Sequence, residues 1–155
     1  MSRPRQSKRN LRADLRAAVE NCSAWSSRLA ARRITQFLDR AMAESPLGVA
    51  QLGLLAQIAV ATDDTLGGLA RRTGLDQSTL SRNLRTLQSA GLVEIAVVES
   101  DLRRRTVWLT ESGLRRLEAA LPAWRAAQAK LAARVPPALA HRLAEATEAL
   151  ENDTE

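Results

Sequence analysis

The sequence is short of the residues that most often do chemistry. It holds one cysteine, Cys22, one histidine, His141, and no tyrosine among 155 residues. A lone cysteine builds no intrachain disulfide framework, and a lone histidine leaves no Cys/His set at metal-ligand spacing. No nucleophile accompanies that histidine, and Gly67-Gly68 is too short to cradle a phosphate. An enzyme, a metal centre and a bound cofactor are therefore not expected. No apolar run approaches a membrane span, and the opening MSRPRQSKRN has charge without the apolar stretch of an export signal. These absences point to the reducing cytoplasm and to no membrane partner.

What is present is a basic chain with enough apolar residues to bury a core. Hydrophobic residues make up 45% and the formal net charge is +6, so a polyanion is the first partner to consider. Lys8 and Lys130 are the only lysines; the other basic residues are arginines, whose planar fork suits phosphate and guanine edges. Arg3, Arg5, Lys8, Arg9, Arg12 and Arg16 crowd the start, while Glu145, Glu148, Glu151, Asp153 and Glu155 crowd the end. Residues 1–10 are expected as a basic flexible arm and 152–155 as a frayed acidic tail.

Hydrophobic periodicity predicts a mostly helical protein with one small β-hairpin. Leu11, Leu15, Ala18, Cys22, Trp25 and Leu29 alternate steps of four and three, the seam of one long helix reaching about Met42. A short apolar helix follows over 49–59. Thr65 and Asp76 are N-cap residues for two further helices, 66–73 and 77–90, which stop at Gly74 and Gly91. Val93–Val97 and Thr106–Thr110 then alternate with the two-residue period of strands, joined by a charged turn over 100–105. After Gly113 the helical seam returns as Leu114, Leu117, Leu121, Trp124, Gln128, Leu131 and Val135, with a kink expected at Pro122. A last helix carries Leu139, Leu143 and Leu150.

The order helix, turn, helix, hairpin carries the functional argument. A three-turn helix fits the DNA major groove and must present donors there. With Leu80, Leu84 and Leu87 inward, Gln77, Ser78, Ser81, Arg82 and Arg85 face outward, and 77–90 contains no acidic residue. Glutamine pairs with adenine and arginine with guanine, while the hydroxyls of Ser78 and Thr79 in the first turn are suited to phosphate. At the hairpin tip, Arg103, Arg104 and Arg105 suit a narrow minor groove, with Asp101 placed to hold Arg103 in one rotamer. The plainer reading is a solvated helix face and a charged cap on an edge hairpin.

The wing and its exit, Asp101-x-Arg103-Arg104-x-x-Val107-x-Leu109-Thr110-x-x-Gly113, resemble the D-x-R-x…L-T-x-x-G signature of the MarR family. The preceding Leu69-Ala70…Gly74-Leu75-Asp76-x-Ser78-Thr79-Leu80-Ser81-Arg82…Gly91-Leu92-Val93 is similar to that family's helix-turn-helix. The resemblance implies a winged helix-turn-helix regulator, usually a repressor, binding a pseudo-palindromic operator as a homodimer. It also implies that Arg103 is the minor-groove arginine, supported by Asp101. Residues 46–113 would form the DNA-binding domain, and 11–45 with 114–151 the dimerisation helices. One departure is the missing acidic residue near Gly68, which would complete the cap of the first short helix and whose loss is expected to cost stability.

Members of that family respond to small, often aromatic or phenolic ligands, or to oxidation of a cysteine in the first helix. Release by a ligand is the reading adopted, with Trp25 and Trp108 as candidate pocket residues. Cys22 is the alternative, a thiol switch, although its place on the apolar seam argues for a buried cysteine, usually an inert small apolar residue. Two further readings stand beside these: a winged-helix protein-interaction module without DNA binding, and a regulator of another winged-helix family. The arginines at 82 and 103–105 speak against the interaction module.

Overall fold

The structure is a computed structural model that describes the backbone of residues 4–98 and 101–151 and the side chains of residues 10–97 and 105–150. The chain divides into two compact units, Met1–Phe37 and Leu38–Glu155. Its described residues form seven α-helices and a two-stranded antiparallel hairpin, the mostly helical winged-helix class expected from the sequence.

In the first unit, α1 spans Pro4–Glu20 and α2 begins at Ser23, continuing to Ala41. Two expectations change here. The segment foreseen as a flexible arm is helical from Pro4, because proline at the first helical position lacks only an N–H that would go unpaired, and arginine, lysine and glutamine favour helix. The single long helix is instead interrupted at Asn21 and Cys22. The Asn21 side-chain amide donates to the Ala17 carbonyl at 2.8 Å, and the Cys22 carbonyl accepts the first bond of α2, from Ser26 N, at 3.0 Å. Asn21 N also keeps its helical bond to the Ala17 carbonyl at 3.0 Å, and the pattern changes at Cys22, whose N–H donates to the Val19 carbonyl at 3.4 Å where hydrophobic period alone would continue the helix. Most of the seam stays uncovered: Leu11, Leu15, Trp25 and Leu29, with the neighbouring Val19, are between 38% and 62% exposed, while Cys22 is half-buried.

The second unit holds the core. α3 (Val49–Ala59) contributes Leu52, Leu54, Leu55 and Ile58, joined by Leu38, Met42 and Leu47 from the segment before it. Asp39 Oδ1 accepts from Val49 N at 3.0 Å and Gln51 Oε1 from Gly48 N at 3.3 Å, which occupies donors that a helix start leaves unpaired. α4 (Leu66–Thr73) buries Leu69, and α5 (Gln77–Ser89) buries Leu80, Leu84 and Leu87. Each such leucine is worth about 1.5–3 kcal/mol relative to exposure. Gly74, at φ 62°, and Gly91, at φ 70°, end the two helices in the left-handed region that glycine alone enters cheaply.

β1 (Val93–Val98) pairs with β2 (Asp101–Leu109), from Val93 opposite Leu109 to Val97 opposite Arg105, with a register irregularity between Val97 and Val98. The second strand thus starts at Asp101, five residues before the expected Thr106, because the bulge lets the arginine run keep extended backbone where a wide turn was foreseen. The loop before α4 joins the hairpin: Thr65 bridges Thr106, and Val107 N donates to the Asp64 carbonyl at 2.9 Å.

α6 (Glu111–Ala132) continues through Pro122, and α7 (Pro137–Glu148) follows, with a 3₁₀ turn over Ala149–Glu151. The inward face of α6 is Gly113, Leu117, Ala120 and Ala127, so the expected seam is shared: Leu117 is buried, but Leu114 is exposed and Leu121, Gln128 and Leu131 are half-buried. The cause is the close seat of Gly113 on the chain below it. A Cβ there would lie 2.0 Å from the Leu92 carbonyl oxygen. Leu139, Leu143 and Leu150, placed by the sequence in the dimerisation helices, are exposed in this chain.

Candidate nucleic-acid interface

α4 and α5 are placed by caps read directly from their flanking residues. Thr65 Oγ1 accepts from Gly68 N at 3.1 Å, and Asp63 Oδ1 accepts from Thr65 N at 2.9 Å. The acid missing near Gly68 is therefore replaced from the preceding loop. Asp63 makes the bond to the N-cap backbone that a glutamate three residues into the helix would otherwise make, so the expected loss of stability is offset. Gly68 is required for this exchange, because a Cβ at that position would sit 2.2 Å from Asp63 Oδ2.

Asp76 caps α5. Its Oδ1 accepts from Thr79 N at 2.9 Å and from the Ser78 hydroxyl at 2.6 Å, and its Oδ2 accepts from the Thr79 hydroxyl at 2.7 Å. The Ser78 hydroxyl first, then the Thr79 amide and hydroxyl, hold the Asp76 carboxyl far below its ordinary value of 3.8. The phosphate role foreseen for the Ser78 and Thr79 hydroxyls changes accordingly. Each hydroxyl has one proton, and here both protons are directed to Asp76, leaving only acceptor lone pairs outward.

The depressed folded value has a stability consequence. Above the ordinary value Asp76 is ionised in folded and unfolded chains alike, and the cap contributes in full. That contribution drains away as pH falls through the lower folded value. Asp76→Asn is expected to flatten the decline of the urea midpoint between about pH 4 and pH 2. Parallel declines in the two proteins would remove the cap from acid stability.

A groove of about 1170 Å³ runs between these helices and the hairpin. Its walls include Arg71 and Gly67 of α4, Gln77, Ser78 and Ser81 of α5, and Arg105 of β2, with Asp63 at one edge. Arg85, Gln88 and Ser81 line a second, smaller cleft with Ala96, Val97 and, again, Arg105. Gln77, Ser78, Ser81, Arg85 and Arg105 are thus brought to one face. Arg82 is exposed and Thr79 half-buried, and neither lines these clefts. The side chains of Asp101, Arg103 and Arg104 lie outside the described residues.

Arg71 and Asp63 were not among the residues singled out from sequence. They are eight positions apart, across a loop and a helix turn, and no periodicity links them. The other candidates are not among the residues that line these clefts. Cys22 is half-buried at the N-cap position of α2. Trp25 is 62% exposed, and Trp108 is 41% exposed on the hairpin. Among the described residues no group of three or more His, Cys, Asp or Glu could hold a metal, and no helix is long and apolar enough to cross a membrane.

Helix-turn-helix, wing and arginine-lined groove define a winged-helix DNA-binding transcription regulator, and comparison with known proteins gives the family. Residues 45–104 match the model of the MarR family. The M. tuberculosis transcriptional regulator MosR, in complex with DNA, superimposes with a TM-score of 0.77 at 34% identity, covering 87% of this chain and 100% of MosR. A MarR family regulator from Streptomyces coelicolor, also in complex with DNA, has the same fold at a TM-score of 0.68 and 23% identity, covering 88% of this chain and 89% of its own. The chain belongs to the MarR family. It is also 39% identical over 80 residues to the phenylalanine–tRNA ligase α subunit of Pyrococcus horikoshii, a match spanning 52% of this chain and 15% of that subunit.

Proposed function

We propose that the protein is a repressor that binds a pseudo-palindromic operator as a homodimer and is released by a small aromatic or phenolic ligand. The observation that carries DNA reading is the groove, in which the outward residues of α5 and Arg105 of the wing share one surface with Arg71. α5 enters the major groove, where Gln77, Ser81, Arg82 and Arg85 meet base edges, and the wing arginines follow the neighbouring backbone and minor groove. Dimerisation is supported by the seam of Leu11, Leu15, Val19, Trp25 and Leu29, which this chain leaves without cover. Two-fold symmetry would set the two reading helices about 34–36 Å apart, one turn of DNA. MosR, whose structure holds DNA, supports the assignment of the partner. A ligand is favoured as the signal because Trp25 and Trp108 each offer an exposed aromatic surface.

The test is selection of bound fragments from genomic DNA, followed by anisotropy titration on the enriched duplex. Two chains per site and a steep fall of affinity with salt are expected. Arg103→Ala should weaken binding by roughly 1–3 kcal/mol with the unfolding midpoint unchanged. Equal affinity for enriched and scrambled duplexes, or elution from a DNA column at very low salt, would favour a protein-interaction module instead.

A further inference from the structure

We infer that Arg71 is a phosphate-binding residue on the α4 wall of the groove, positioned by Asp63, whose carboxylate occupies the space that Gly68 leaves open. This rests on the reading of the groove as the DNA surface and names a contact beyond α5 and the wing.

Four observations converge. Arg71 lines the groove together with Gln77, Ser78 and Arg105, and its side chain is 76% exposed. Arg71 Nη2 lies 3.4 Å from Asp63 Oδ2. The other carboxylate oxygen of Asp63 is held by Thr65 N at 2.9 Å, so the partner of Arg71 is fixed to the backbone at the start of α4. Finally, a Cβ on Gly67 would lie 3.7 Å from Arg71 Nη1, which puts the exposed guanidinium over the first turn of its own helix.

An exposed ion pair of this kind adds little to stability. Its effect is on the shape of the side chain. A guanidinium has five N–H donors, and Asp63 engages one edge, leaving others for a phosphate oxygen. Holding the long stem in one arrangement before DNA arrives reduces the entropy lost on binding. The first helix of a helix-turn-helix crosses the DNA backbone, which is where a positioned arginine meets phosphate rather than a base. Gly68 belongs to the same device. A side chain there would expel the Asp63 carboxylate, and Arg71 would lose its partner.

The experiment is anisotropy titration of the full chain on its enriched duplex over a range of KCl concentrations, with urea midpoints measured for every variant. Arg71→Ala is expected to lower affinity roughly fivefold at 0.1 M salt and to make the log–log salt slope shallower by about 0.9 per half-site. Arg71→Lys should keep the slope while losing part of the affinity, since charge is retained and the fork is not. Gly68→Ala should lower affinity about threefold in the parent and not at all in the Arg71→Ala background, the coupling expected of residues that act through one another. An unchanged affinity and slope in Arg71→Ala, with Arg105→Ala still lowering both, overturns the Arg71 contact and leaves the DNA reading standing. No change in either variant overturns the DNA reading of the groove. A Gly68→Ala loss that persists undiminished without Arg71 overturns positioning by Asp63; if that variant does not fold, the Arg71→Ala slope decides the contact alone.

Discussion

Gly113→Ala is expected to destabilise the protein by about 3 kcal/mol and to lower its melting temperature by roughly 6–12 °C. The added Cβ would stand 2.0 Å from the Leu92 carbonyl oxygen and 3.0 Å from its carbon, both backbone atoms that no rotamer change moves aside. Relief requires lifting the first turn of α6 away from the α5–β1 junction. That motion also strains the Thr110 hydroxyl, which donates to the Gly91 carbonyl at 2.6 Å and accepts from Gly113 N at 2.9 Å. Gly53→Ala is the internal control. It lies inside α3 with nothing within 4 Å of its Cβ position, so alanine there should stabilise by about 0.5–1 kcal/mol through helix propensity. Thermal unfolding of both variants checks the pair, and shifts of the same sign would show that the Leu92 contact is not what requires glycine at 113.

Leu15→Glu combined with Leu29→Glu is expected to turn a dimer into a monomer and to reduce operator affinity by roughly a hundredfold or more. Two leucines from each of two chains amount to about 6 kcal/mol or more of apolar burial, replaced by four carboxylates that resist desolvation. The seam residues lie in the first unit, so the urea midpoint of the 38–155 core serves as the control for folding. Light scattering and anisotropy read the outcome together. A parent protein that is monomeric at the concentrations where it binds DNA would end the homodimer proposal.

Much of the winged domain was legible because its signals are local. Thr65 and Asp76 announce helix starts, Gly74 and Gly91 announce stops, and the change from a four-three to a two-residue period marks the hairpin. What was not legible depends on encounters between distant segments. The break at Asn21–Cys22 is the exception, a local turn of the Cys22 amide to the Val19 carbonyl that hydrophobic period does not report. The inward face of α6 is set by the contact of Gly113 with Leu92, 21 positions earlier, which shifts the buried seam toward Gly113 and Ala120. For the interface, Gln77, Ser78 and Ser81 followed from the leucine pattern of α5, whereas Arg71 required the loop before α4 to supply Asp63. The direction of the Ser78 and Thr79 protons was hidden for the same reason, since a cap residue can point its neighbours' hydroxyls inward without altering the pattern.

The Thr110 hydroxyl joins three pieces of chain within one hydrogen-bond length: the end of the reading helix at Gly91, the exit of the wing and the root of α6. No flexible spacer separates α5 from α6 at that joint. A tilt of α6 that strains the Thr110 hydroxyl would therefore also pull on the Gly91 carbonyl, so on the proposed function the last turn of α5 and the root of α6 would respond to the same disturbance.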